Sequence, residues 1–127
     1  DETTGGRHPE RCQVSGLLAK AEAQLELNTT LALRRACWLA RAELESLVLD
    51  LLRARGINAE SSSERGKLSC LEGAYTDERD LTFKAEFAWN RLSEACHQHA
   101  YQLSPTYSEA KHLIDLVSEL TQHQESA

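Results

Sequence analysis

Apolar residues recur along most of the chain in steps of three and four, the spacing that lines one face of an α-helix. Leu17, Leu18, Ala21 and Leu25 mark such a face and predict a first helix over about Glu10 to Leu27, with Asn28-Thr29-Thr30 breaking it and offering caps to the next. The clearest pattern follows: Leu33, Ala36, Cys37, Ala40, Leu44, Leu47, Val48, Leu51 and Leu52 predict a long second helix from about Thr30 to Arg55. Its wide apolar stripe is what a helix at the centre of a bundle needs. Arg53 and Arg55 suit the negative C-terminal end, and Gly56 suits a left-handed stop.

Beyond a Ser- and Asn-rich loop over residues 57–63, Leu68 and Leu71 predict a shorter third helix from about Ser63 to Tyr75. A fourth opens near Asp77 and is expected to reach about Leu103, carrying Leu81, Ala85, Ala88, Trp89, Leu92, Ala95, Cys96 and Leu103 inward. Ser104-Pro105 stops it, and Thr106-x-x-Glu109 reads as the capping box of a fifth helix that runs to about Thr121 with Leu113, Ile114, Leu116, Val117 and Leu120 inward. Short connections imply antiparallel neighbours. The pattern therefore predicts an all-α fold, an antiparallel bundle of four to five helices spanning residues 10–121, with 1–9 a disordered N-terminal segment and 122–127 a frayed tail.

Composition supports this picture: two prolines and six glycines in 127 residues leave room for long helices. No run of 18 apolar residues occurs, so no membrane partner is expected. The net charge of −6 argues against broad nucleic-acid affinity, which comes from clustered Lys and Arg. Arg34, Arg35, Arg41, Arg53, Arg55 and Arg65 nevertheless gather in the first two-thirds of the chain, so a local basic patch is possible. Cys12, Cys37, Cys70 and Cys96 form no CxxC pair, which excludes the common zinc and redox spacings. Each lies in or beside an apolar stripe and is expected to be a reduced, small apolar side chain in a cytoplasmic protein. The alternative is a secreted helical bundle with two disulfides. Trp38 and Trp89 are expected as core or interhelix anchors.

The richest polar cluster is Asn90-Arg91-Leu92-Ser93-Glu94-Ala95-Cys96-His97-Gln98-His99-Ala100-Tyr101. On a continuous helix Asn90, Glu94, His97 and Tyr101 fall on one stripe with Arg91 beside it. A histidine with a nearby arginine suits cleavage of an RNA backbone, the imidazole moving protons and the guanidinium stabilising the charged phosphate. The plainer reading is a solvated face or a hydrogen-bonded interhelix contact. His97 and His99 point about 200° apart on a helix and make a poor metal clamp. Glu94-x-x-His97 lacks the second such motif that a di-iron bundle requires. Neither a metal nor another cofactor is expected.

The segment Asn90–Thr106 (NRLSEACHQHAYQLSPT), the final-helix run Glu109–Val117 (EAKHLIDLV) and the long-helix run Trp38–Gly56 together resemble the actinobacterial group of HEPN-domain proteins, over about Thr30 to Leu120. The resemblance implies a four- or five-helix bundle that works as a homodimer. Many such domains are metal-independent ribonucleases with an R-x(4–6)-H motif, often toxins or defence effectors, and others are non-catalytic binding modules. Carried onto this chain, the motif falls on Arg91 and His97, with five residues between them, as the catalytic pair. Asn90, Glu94, His99 and Tyr101 support it; His99-Ala100-Tyr101 supplies a competing H-x-Y register, and His97 is preferred because it shares the stripe. Where many members have a polar residue after the arginine this chain has Leu92, with the polar Asn90 before it instead. RNA, an antitoxin or another protein are the partners the resemblance implies.

Overall fold

A computed structural model describes residues 9–97 and 104–126 of the chain, with side chains from 16 to 97 and from 104 to 123. Among the described residues the fold is all-α, with five helices: α1 (Pro9–Leu27), α2 (Thr30–Ala54), α3 (Glu64–Ala74), α4 (Arg79–Cys96) and α5 (Tyr107–Ser126). Helix α2 is central and packs against all four others, while α4 and α5 also pack on each other. The nine apolar positions that mark its stripe are all buried, Cys37, Ala36, Ala40, Leu44 and Leu52 completely. They meet Ala21 and Leu25 of α1, Leu68 and Leu71 of α3, Leu81, Ala85, Ala88 and Leu92 of α4, and Ala110, Leu113, Ile114, Val117 and Leu120 of α5 in one continuous core. No helix among the described residues is long and apolar enough to cross a membrane.

Local chemistry sets most of the boundaries. Asn28 takes a left-handed turn (φ 49°), a conformation an asparagine tolerates better than most residues. The Thr29 hydroxyl then accepts the amide of Ala32 and starts α2. Helix α2 ends in a Schellman motif: Gly56 (φ 78°) donates to the Arg53 carbonyl and Ile57 to the Leu52 carbonyl, while Ile57 packs on the core. Ser63 caps α3 through the Gly66 amide, and Thr106 caps α5 through the Glu109 amide.

Arg55 has a larger role than a charge at a helix end. Its guanidinium lies 3.9 Å over the Tyr75 ring, donates to the Ala74 carbonyl and reaches Asp77 and Glu78, tying the ends of α2 and α3 to the start of α4. Asp77 is thereby occupied, and α4 opens at Arg79 without a side-chain cap.

Two helix ends differ from expectation. Helix α5 continues to Ser126 instead of ending near Thr121. Gln122 to Ser126 contain no Gly or Pro stop, Leu120 and Thr121 are buried, and His123 reaches across to Glu78 at 2.6 Å. Helix α4 stops at Cys96 instead of reaching Leu103, and His97 is already extended (φ −79°, ψ 128°). The sequence offers no local stop there; Ala95 and Cys96 are the last residues of α4 to pack against the core.

Candidate functional site

The outer face of α4 carries four of the six residues singled out as a site. Asn90, Arg91 and Glu94 are exposed on it, and His97 is exposed at its C-terminal cap, its backbone amide bonded to the Ser93 carbonyl at 3.1 Å. His99 and Tyr101 lie outside the described residues. Because the helical phase ends at Cys96, the stripe of Asn90, Glu94, His97 and Tyr101 is interrupted before its third member.

Arg91 is tied down on two sides. Its terminal nitrogen donates to the Glu109 carboxylate at 2.6 Å, and its Nε lies 4.0 Å from Glu94. The hydrogen bond it donates to Glu109 holds the guanidinium even more firmly in its charged form. Glu109 is placed for this by the cap at Thr106, which fixes the first turn of α5 against the last turns of α4. The guanidinium also sits 5.9 Å from the Phe87 ring. A phosphate approaching Arg91 would compete with one carboxylate in direct contact and a second close by.

That face also carries two exposed aromatics that the sequence reading left unremarked. Phe83 and Phe87, one turn apart, are 67% and 38% exposed. They stand off the buried set Leu81, Ala85, Ala88 and Leu92, so the signal was the presence of two aromatics outside the core stripe.

A second unanticipated feature lies on α2. Trp38 was expected to be an anchor, yet it is 66% exposed. The correction has a geometric cause: Trp38 follows Cys37 directly, so it points about 100° away from a fully buried position. Trp89 does serve as an interhelix contact, with the Arg41 guanidinium 4.4 Å over its ring. Burial resists ionisation of the Cys96 thiol, and the positive charge of Arg41 eases it.

Cys37, Cys70 and Cys96 are free thiols. Glu43, fully buried among the core residues of α2, accepts a hydrogen bond from the Thr121 hydroxyl at 3.0 Å. It sits on the core face between the expected apolar positions, and periodicity alone could have flagged it. Compared with family models, curated proteins and solved structures, the chain matches none.

Proposed function

We propose that this chain is a HEPN-type helical module that works by self-association through the outer face of α4, with no nuclease activity of its own. The observation that carries the reading is the state of that face: exposed Phe83 and Phe87 at its centre, beside an Arg91 whose charge is already matched by Glu109. Contiguous exposed apolar side chains are a feature of association surfaces, and aromatic residues are enriched in them. The charged residues of α4 around it, Arg79, Asp80, Lys84, Glu86, Arg91 and Glu94, sum to zero. Two copies of a chain that carries −6 can therefore meet there without net repulsion across the contact. A two-fold pairing of like faces is the commonest arrangement of a soluble homo-oligomer. The ion pair at 2.6 Å is the feature least suited to RNA cleavage, because a guanidinium engaged by a carboxylate is slow to stabilise a phosphate.

A metal-independent ribonuclease is the second reading, favoured by the exposure of both Arg91 and His97 at one end of α4. The test combines sedimentation over a concentration series with incubation of a mixed RNA pool in EDTA. The association reading expects a dimer that Phe87→Glu converts to a folded monomer, and intact RNA. A monomer at every concentration refutes it, as does RNA cleavage that disappears in both Arg91→Ala and His97→Ala.

A further inference from the structure

Four helices pack on α2, and one stripe of its surface still lies outside the core among the described residues. Leu31, Arg35, Trp38, Ala42, Glu45 and Leu49 follow one another in alternating steps of four and three, which places all six on one face. Leu31 is 54% and Trp38 66% exposed; Arg35 and Ala42 are exposed, and Glu45 and Leu49 are half-buried. The arginines at the edge of the stripe are engaged elsewhere: Arg41 lies over the Trp89 ring, and Arg34 donates to the Ser104 hydroxyl at 3.2 Å. The stripe itself therefore carries one positive charge, on Arg35, and one negative, on Glu45. The Arg41 Nε is 3.7 Å from the Glu45 carboxylate, beyond hydrogen-bond reach, so that carboxylate can still accept from a second cation. Beside the Trp38 ring runs a shallow groove of about 360 Å³, bounded by Leu39, Arg41, Ala42 and Glu45.

Read in the opposite direction, this stripe is its own complement. A second copy laid antiparallel across it, with the two-fold axis midway between Trp38 and Ala42, sets Leu31 opposite Leu49, Arg35 opposite Glu45 and Trp38 opposite Ala42, each pair occurring twice. Apolar meets apolar, positive meets negative, and the largest side chain of the stripe meets the smallest. We propose that the outer stripe of α2 is a second self-association surface, on which two copies pair antiparallel and the Trp38 indole of each seats over Ala42 of the other. Ala42 lets the helices approach closely and leaves the hole that the indole fills, in the groove beside Glu45. Leu31 to Leu49 spans about 27 Å of helix, which gives the contact an apolar pair at each end and an ion pair inside it. A partner of another sequence would have to supply this order of residues; a second copy has it by symmetry. The inference goes beyond pairing through α4 and does not rest on it, because it uses a different helix. A chain with both faces assembles past the dimer, and two isologous faces close into a tetramer of dihedral symmetry. Confined to one helix, the α2 contact belongs to the small, weak class of interfaces, so it forms at higher chain concentration than the α4 dimer.

The test is sedimentation equilibrium of the full chain carrying Phe87→Glu, which removes pairing through α4 and leaves the α2 stripe untouched. A monomer is expected at low concentration, with a dimer growing in as the chain approaches about 1 mM. Adding Trp38→Ala should weaken that dimer at least tenfold, the loss of its central aromatic anchor. Adding Arg35→Glu or Glu45→Arg should each weaken it about tenfold, because each sets like charges opposite one another in both symmetry-related pairs. An equimolar mixture of these two variants should recover the affinity of the Phe87→Glu chain, since the mixed pair restores opposite charges on both sides of the axis. No role of either residue within its own chain produces that recovery. Circular dichroism establishes that every variant keeps the helical content of the parent, and the same mixing experiment in chains with native Phe87 reads the step from dimer to tetramer. A Phe87→Glu chain that stays monomeric to about 1 mM overturns the proposal. So does a dimer that Trp38→Ala leaves unchanged, or a mixture that associates no better than its separate variants. Pairing through α4 is judged by the parent against Phe87→Glu at low concentration, so either reading can fail alone.

Discussion

The Cys37 thiol offers a quantitative check of how α2 is buried. It is 0% exposed, and burial, reinforced by the nearby Cys96 and Glu109, pushes its pKa from 9.0 up to about 12. Only the thiolate reacts with an alkylating agent. At pH 8 an ordinary thiol with a pKa near 9 is about one-tenth ionised, whereas one near 12 is ionised about once in ten thousand, a thousandfold difference before steric shielding is counted. A pulse of iodoacetamide at pH 8, followed by digestion and mass mapping, should therefore modify the partly open Cys70 readily and leave Cys37 untouched until denaturant is added. Cys37 should then react without reductant, because it is a free thiol. Native alkylation of Cys37 within tenfold of the rate at Cys70 would refute the burial argument. Failure to react even in denaturant would mean that it is bridged. The same shift fixes a sign in the pH dependence of stability. Above pH 9 the unfolded chain releases a proton that the folded chain keeps, so this group's contribution is complete below 9 and is lost as pH rises toward about 12. Three units correspond to about 4 kcal/mol as an upper figure, and a Cys37→Ala variant should lack this part of the alkaline loss.

Two further predictions concern the bundle. Leu92→Ala opens a cavity where α4 meets the core at a fully buried position, and should lower stability by about 3 kcal/mol in urea unfolding, with Leu27→Ala, at an exposed position, changing it by less than about 0.5 kcal/mol. Tyr75→Phe removes the hydroxyl that donates to the Leu51 carbonyl at 2.6 Å and should cost about 1–2 kcal/mol in the same assay, without loss of helical content.

The parts of the fold that were legible in the sequence are those set within a few residues. The stripe from Leu33 to Leu52, the caps at Thr29, Ser63 and Thr106, and the stop at Gly56 each depend on neighbours at most five positions away. The candidate site was legible only as a set of residue types. Asn90, Arg91, Glu94 and His97 do gather at one end of α4, but the helix ends before His97 and Arg91 is engaged by Glu109, eighteen residues further on. Trp38 shows the same limit: its offset from the stripe was visible, while its exposure depended on which neighbours cover that side of α2.

The sequence by itself determined an all-α bundle of four to five helices and most of their apolar positions, because helix formation and amphipathic spacing repeat every 3.6 residues and act over a few turns. Tertiary structure alone decided which of the remaining side chains are covered. The pairing of Glu43 with Thr121, of Arg41 with Trp89, and of Arg91 with Glu109 joins positions from 18 to 78 residues apart. Such contacts arise when packed helices bring distant turns into register, and no local period in the chain encodes that register.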